Sequence, residues 1–426
     1  MLQTLFTIPS EIGGFPLFGF GIALAIWAVV SLALIAHSIR RAGFGRETLS
    51  QIATLLVSGG VIAFLIPGIM QPEGLPIRGY GVMLLLAVSS GVGLSMYRAR
   101  QFGLNPEVIL SLAMWLILSG FVGARLFYVI EYWDKFAAPD WRQFIAGVLN
   151  ITQGGLVVYG SMLAGGAALI VFIYKHKLPG LALSDLIAPG AVLGMAIGRI
   201  GCFFNGCCYG GVCELPWAVS FPHGSPPYVE QVQSGRLFLN GLELTGDLNG
   251  PPVIASIEAG SAADREGLRA GQRIASIGGV AVSSVEQAQQ RLLRLYGEGT
   301  LVSIATADSP RAKSWTITRP PPRSLPIHPT QIYSAVDATL LVLFLIAYTP
   351  YRRRDGELTA LTLTLHPISR FLLEIIRDDE RGVFSTNMTI SQNISLLLLA
   401  FAVVLWLYLL SRPRGLAWPT RAALAS

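Results

Sequence analysis

The residues with chemistry to offer gather in one run, Gly198-Arg199-Ile200-Gly201-Cys202-Phe203-Phe204-Asn205-Gly206-Cys207-Cys208-Tyr209-Gly210-Gly211. It closes an apolar stretch, Leu186 to Ile197, that reads as a membrane helix. An arginine, closely spaced glycines, an asparagine and three of the four cysteines fall within it. Small residues let backbones approach closely, and an arginine near the membrane needs a partner or an anionic ligand. The plainer reading is an interfacial arginine that snorkels to headgroups ahead of a glycine turn. A second group, Arg370, Glu374 and Arg377, sits at i, i+4 and i+7 and so shares one helix face. A self-contained ion-pair stripe there satisfies Glu374 and one arginine and leaves the other cation wanting an anion. The guanidinium fork matches phosphate in two-point contact. At bilayer depth the simplest such anion is a phospholipid headgroup.

Composition says what must hold these groups. The chain has 426 residues, 52% hydrophobic and 13% charged, with a mean hydropathy of +0.56. Soluble chains carry about 25% charged residues, so this is the profile of a polytopic membrane protein. The net charge of +6 calls for no nucleic acid, because the basic residues cluster in short loops between apolar runs. The first apolar run has its basic residues after it and no small-residue cleavage site, which predicts a retained helix and not a signal peptide.

Nine spans are expected, at 17–37, 52–70, 80–97, 108–130, 156–174, 183–203, 331–348, 357–376 and 393–411. Basic loops alternate with mixed ones, so the positive-inside rule places the N-terminus outside and the C-terminus in the cytoplasm. Pro16, Gly19, Gly21, Arg40, Gly43, Glu47 and Gly60 each precede Pro76, Gly79, Gly81, Arg100, Gly103, Glu107 and Gly120 by sixty residues, the mark of a duplicated hairpin. The first copy has Phe18 and Leu65 where the second has Arg78 and Arg125, so it is expected to pack and not to react. With alternating directions, six helices bring polar residues to the outer third of the bilayer. Span three enters at Arg78-Gly79-Tyr80-Gly81 and span four ends near Gly123-Ala124-Arg125. Span five starts with Gly154-Gly155-Leu156-Val157-Val158-Tyr159-Gly160, and span six reaches Arg199. Span seven begins at His328-Pro329-Thr330-Gln331-Ile332-Tyr333, and span eight ends with Arg370, Glu374 and Arg377.

Residues 212–330 are polar, and from Pro252 to Pro320 they change character. Val253–Ile257, Arg273–Ile277, Leu301–Thr306 and Ser314–Thr318 read as strands, and Ser284 to Tyr296 as an N-capped helix with Ala288, Leu292 and Leu295 inward. The run from Gly260 to Gly278 resembles a PDZ domain. The resemblance implies an extended peptide ligand bound by strand addition, with Phe238-Leu239-Asn240-Gly241-Leu242 as the carboxylate loop; the alternative is an orphan module without a ligand. Arg319-Pro320-Pro321-Pro322-Arg323 reads as a stiff polyproline linker. The expected domains are an extra N-terminal hairpin (1–74), a membrane core in two parts (75–235 and 323–426) and the PDZ-like insertion (236–322). The fold class is thus an all-α polytopic membrane protein of about nine transmembrane helices with a small α+β insertion.

Cys202, Cys207, Cys208 and Cys213 lie in one short segment on the expected outer face, where paired thiols favour disulfides. Cys207 or Cys208 with Cys213 would staple the loop after Arg199. Free thiols and zinc are the other readings, the latter against a spacing that is not a common finger pattern.

Several motifs in register resemble prolipoprotein diacylglyceryl transferases, bacterial inner-membrane enzymes. They are Ile77-Arg78-Gly79-Tyr80-Gly81, Gly123 to Tyr128, Gly154-Gly155-Leu156, Gly198-Arg199-Ile200-Gly201 with Asn205-Gly206, Pro216-Trp217-Ala218, His328 to Tyr333 and Arg370 to Glu374. The resemblance covers most of 75–411. It implies transfer of diacylglyceryl from phosphatidylglycerol to the lipobox cysteine of a prolipoprotein, giving a thioether and glycerol phosphate. It further implies Arg199 and Arg370 on the phosphate, Glu374 orienting an arginine, and Arg78, Tyr80, Arg125, Asn205, Gly210, Gln331, Tyr333 and Arg377 around the substrate. Where Tyr159 stands, well-known members carry histidine, the usual candidate base; Cys202 and Cys207 replace an asparagine and a glutamate. Tyrosine titrates near ~10 and histidine near ~6.5, so Tyr159 and His328 are alternative bases. No cofactor or metal is expected. The other reading of the chain is a non-catalytic envelope scaffold that binds anionic phospholipid and presents its PDZ-like domain to peptides.

Overall fold

A computed structural model describes residues 4–70, 74–136, 141–150, 155, 157–234, 236–246, 250–298, 301–307, 309–316, 323–377 and 388–418. Of the sequence motifs, Gly154, Leu156 and Arg319 to Pro322 lie outside these residues. The chain divides into two compact units, one of Leu2–Gly201, Ala338–His366 and Leu398–Ser426, the other of Cys202–Asp337 and Pro367–Leu397.

The first unit is helical, and its helices begin and end where local chemistry says they should. Asn105 caps Pro106–Glu131 by accepting from the Glu107 N–H at 3.0 Å, with Pro106 preset for the first turn. Val158–His176 stops where Lys177 takes a left-handed φ of 51° ahead of Leu178-Pro179. Glycine decides which helices touch. A Cβ on Gly123 would stand 2.5 Å from the Gly160 carbonyl oxygen, and one on Gly91 would stand 2.7 Å from that of Gly190. Backbone thus meets backbone between Pro106–Glu131 and Val158–His176, and between Gly79–Gln101 and Gly180–Asn205. Outward-facing large apolar side chains such as Leu85, Ile130 and Leu163 remain exposed, as lipid contact requires.

Seven helices among the described residues are long and apolar enough to cross a membrane: Ile22–Arg41, Gln51–Ile69, Gly79–Gln101, Pro106–Glu131, Gly180–Asn205, Thr330–Tyr351 and Ile390–Ser411. The other two expected spans are helical as well, at Val158–His176 and Glu357–Glu374. The first helix starts later than its apolar run, because Phe15–Pro16 pairs with Glu11–Ile12. Thr4–Ile8 pairs antiparallel with Leu75–Arg78, a long-range strand that no local pattern announced.

One buried polar knot in this unit lies outside every sequence expectation. Asp185 is fully buried and accepts from the Gly356 N–H at 2.8 Å, the Thr359 N–H at 2.9 Å and the Thr359 hydroxyl at 2.9 Å. It thereby caps the helix Glu357–Glu374. Arg352 stands 3.8 Å from the same carboxylate and stacks on Phe102, as does Arg98, which donates to the Leu186 carbonyl at 3.0 Å. Charge is tolerated here because the Asp185 carboxylate takes three hydrogen-bond donors and faces a guanidinium.

The second unit holds a four-stranded and a two-stranded sheet. Ser309–Thr316, Leu301–Thr306, Ile274–Ile277 and Val280–Ala281 form one antiparallel sheet in that order, and Leu242–Thr245 pairs with Val253–Ile257 in another. Val285–Glu298 presents Ala288, Leu292 and Leu295 to the core, as its period predicts. Ser261 accepts from the Asp264 N–H at 3.2 Å and the Asp264 carboxylate from the Gly260 N–H at 2.9 Å, a reciprocal cap on Ala262–Arg265. The same core takes in Tyr228 and Val232 from Pro226–Gln233, a helix upstream of the expected boundary at residue 236.

Candidate active site

In the second unit the site is built around the end of Gly180–Asn205. The helix stops because Gly206 turns left-handed (φ 79°), packed so that a Cβ would meet the Phe221 ring at 3.1 Å. Cys208, at φ 58°, continues the reversal. Gly210 and Gly211 then pass between two other segments. The Gly210 N–H donates to His328 O at 3.0 Å, His328 N–H to Gly211 O at 3.0 Å and Gly211 N–H to Ile376 O at 2.9 Å; Gly210 also bridges Arg377.

The motif at His328 holds this turn. Thr330 Oγ1 donates to the Cys208 carbonyl at 2.6 Å and Gln331 Nε2 to the Cys207 carbonyl at 2.7 Å. Gln331 is fully buried, and its Oε1 has no donor among the described residues. Tyr333 receives the Trp217 indole N–H on its hydroxyl at 2.7 Å and stands 3.4 Å from His328 Nδ1. The Asn205 side chain hydrogen-bonds to the Cys207 thiol.

Arg370, Glu374 and Arg377 converge as their spacing predicted. The buried Glu374 carboxylate takes the Arg370 guanidinium and, at 3.1 Å, that of Arg377 on one oxygen. Its other oxygen accepts from Thr389 Oγ1 at 2.9 Å. Arg370 also donates to Ser391 Oγ at 2.9 Å. Among the described residues two cations thus share one carboxylate. Thr389 caps Ile390–Ser411 through the Gln392 N–H at 3.2 Å, with the Thr389 N–H returning to Gln392 Oε1 at 3.0 Å. Thr389 and Ser391 escaped the sequence reading, although Thr389-Ile390-Ser391-Gln392 ahead of an apolar run has the spacing of a capping box.

The first unit carries the remaining predicted residues. Arg199 is half-buried and has no hydrogen-bond or ion-pair partner among the described residues. Two residues on, Gly201 leaves room for Tyr80, whose ring a Cβ would approach to 3.3 Å. Arg78, exposed, ends the strand Leu75–Arg78 just before the helix that carries Tyr80. Tyr159 stands in the first turn of Val158–His176 with 41% of its surface exposed. Arg125 is buried and donates to four carbonyls: Val148 at 2.8 Å, Gly155 at 2.9 Å, Gly147 at 2.8 Å and Asn150 at 2.7 Å. Its guanidinium also lies over the Tyr128 and Phe136 rings. In this geometry Arg125 ties the end of the helix Trp141–Leu149 and the following Asn150 to Gly155.

All four cysteines are free thiols, so the expected bridge from Cys207 or Cys208 to Cys213 is not formed. The sulfurs that gather are those of Cys202, Cys207 and Cys208, within 4.8 Å of one another. Their neighbours in sequence gave no sign of it, because the convergence depends on the left-handed turns at Gly206 and Cys208.

Helices long and apolar enough to span a membrane, with arginines at their ends of which one has no anion among the described residues, define a polytopic membrane protein suited to anionic lipid. A family model of prolipoprotein diacylglyceryl transferase matches residues 67–408. The phosphatidylglycerol–prolipoprotein diacylglyceryl transferase of Rhodopirellula baltica is 34% identical over 95% of this chain and 88% of its own. The proteins of the same name from Trichormus variabilis and Synechococcus elongatus are 35% and 37% identical over 37% and 40% of this chain, or 54% and 57% of theirs. The chain belongs to the prolipoprotein diacylglyceryl transferase family, a family of membrane enzymes.

Proposed function

We propose that this protein transfers diacylglyceryl from phosphatidylglycerol to the lipobox cysteine of prolipoproteins. The observation that carries the reading is Arg199, a half-buried guanidinium at the polar end of an apolar helix with no anion among the described residues. A lipid phosphate supplies that anion. As the carbon–oxygen bond breaks, charge gathers on the leaving phosphate, and arginines aimed at it stabilise the transition state more than the ground state. Arg199 and Arg370 serve the phosphate, with Glu374 and Thr389 holding Arg370 in place. Arg78, Tyr80, Asn205, Gly210, Gln331, Tyr333 and Arg377 shape the substrate site, and Arg125 fixes Gly147, Val148, Asn150 and Gly155 through their carbonyls. The attacking sulfur must be a thiolate; Tyr159 and His328 are the side chains offered as its base.

The same reading places the protein in a bacterial inner membrane with nine spans, counting Val158–His176 and Glu357–Glu374. Its N-terminus and residues 236–322 face the periplasm and its C-terminus the cytoplasm. Residues 1–74 form an accessory hairpin. Residues 236–322 form a PDZ-like module that takes an extended peptide along Leu242–Thr245. That strand has one strand neighbour among the described residues, which leaves its other edge for pairing.

The test uses purified protein, phosphatidylglycerol vesicles and a lipobox peptide, read by mass spectrometry. A diacylglyceryl mass gain on the peptide, abolished in Arg199→Ala, is the expected result. Phospholipid binding without any mass gain would favour the scaffold reading instead.

A further inference from the structure

Three thiols converge in the turn that closes Gly180–Asn205, and transfer to a phospholipid carbon does not by itself require them. The Sγ atoms of Cys202, Cys207 and Cys208 lie within 4.8 Å of one another, and all three residues are half-buried. The turn is held from both sides. Gly206 and Cys207 donate to the Cys202 carbonyl at 2.9 and 3.2 Å, while Thr330 and Gln331 hold the carbonyls of Cys208 and Cys207. Cys208 keeps a left-handed φ of 58°, a conformation that L-residues with a Cβ seldom adopt. The buried Gln331 Oε1, an acceptor with no donor among the described residues, belongs to the amide that holds Cys207.

Three sulfurs so placed suit a thiophilic cation. Zinc–sulfur bonds of about 2.3 Å put tetrahedral sulfurs about 3.8 Å apart, so small side-chain rotations bring these three into range. Three protein ligands and an open fourth position are the arrangement of a catalytic zinc site, whereas structural sites are closed.

We propose that Cys202, Cys207 and Cys208 bind Zn2+ as thiolates and that the open position takes the sulfur of the substrate cysteine. The second clause rests on the transfer reading above. Each of the three cysteines gives up a proton on binding metal, and the substrate thiol gives up one as it coordinates. The substrate thiolate then attacks the glycerol carbon that bears the phosphate ester. A carbon–sulfur bond forms, the carbon–oxygen bond breaks, and its electron pair leaves on the phosphate oxygen. The thioether product is neutral, a weaker ligand than a thiolate, and departs. Deprotonation is thereby supplied without asking a tyrosine, which titrates near ~10, to act as base.

Full-length protein in detergent, stripped with chelator, is titrated with Co2+ and Zn2+ under reducing conditions, and transfer is measured in the same preparation. One metal per chain is expected, with the intense near-ultraviolet absorption of cobalt–thiolate bonds. Cys207→Ser and Cys208→Ser each weaken binding at least tenfold, while Cys213→Ser, outside the cluster, leaves the stoichiometry at one. A lipobox peptide changes the visible cobalt spectrum, and its serine analogue does not. Absence of thiolate absorption, or binding indifferent to Cys207→Ser and Cys208→Ser, overturns the site. An unchanged spectrum with the cysteine peptide overturns the open position. Undiminished transfer by the stripped protein overturns the role in thiol activation and leaves the transferase standing. Metal bound as described, with no transfer under any condition, instead removes the transfer reading alone.

Discussion

Gly210 and His328 lie so close that position 210 has no room for a side chain. The Gly210 N–H meets the His328 carbonyl at 3.0 Å, and a Cβ on Gly210 would stand 2.6 Å from His328 Cβ and 2.9 Å from Thr330 Cγ2. His328 Cβ is bonded to the backbone and cannot step aside. Gly210→Ala should therefore displace the His328 segment and the Arg377 segment that Gly210 also bridges. A misplacement of about 1 Å at a reacting centre costs on the order of 100-fold. Transfer rate measured on protein that still elutes as a single species from size exclusion checks this.

Arg199→Ala should lower kcat by about 100- to 1,000-fold, the range for loss of one preorganised charge donor. Arg199→Lys restores the charge but not the fork, so only part of the rate returns. Steady-state kinetics of the two variants separate charge from geometry; equal rates in all three proteins would contradict the phosphate role.

Glu374→Gln keeps the shape of the side chain and removes its charge. Arg370 and Arg377 then face each other with a neutral amide between them. Breaking a buried pair from one side costs about 3–5 kcal/mol, read as a lowered midpoint in thermal unfolding. Thr389→Val removes one neutral hydrogen bond to the same carboxylate and should cost about 1 kcal/mol.

Arg125→Lys retains the charge but can serve fewer of the four carbonyls that now share its guanidinium. The chain at Gly147 to Asn150 should become a site of limited proteolysis in the variant. An intact chain at matched protease exposure would argue against a positioning role.

Burial pushes the Tyr228 hydroxyl up to about 12 from its ordinary value near 10. The folded form therefore binds that proton more tightly than the unfolded form. Its contribution to stability is complete below about 10 and is lost as the pH rises through about 12. Tyr228→Phe should flatten the alkaline limb of the stability profile between these values, as followed by circular dichroism in denaturant.

What could be read in the residues alone was whatever lay within a few turns of itself. Arg370, Glu374 and Arg377 were legible because helical spacing puts them on one face, and Val285–Glu298 because its apolar period is strong. Asp185 was not, since an acid inside an apolar run looks incidental until Gly356 and Thr359 arrive from far along the chain. Arg125 was legible as important but not for its reason, because its partners are carbonyls, which every residue has. The cysteine spacing pointed to a bridge with Cys213, whereas two left-handed residues fold Cys207 and Cys208 back onto Cys202.

The cap that Asp185 places on a later helix sets an order of events during synthesis. Gly356, which donates to it, lies 171 residues downstream, and at bacterial elongation speeds that gap lasts roughly 10–30 s. Throughout that interval the newborn carboxylate sits in its span without the donors that make it tolerable. The carboxylate is thus made long before the helix Glu357–Glu374 that it caps, and a chain that ends before Gly356 lacks all three of its donors.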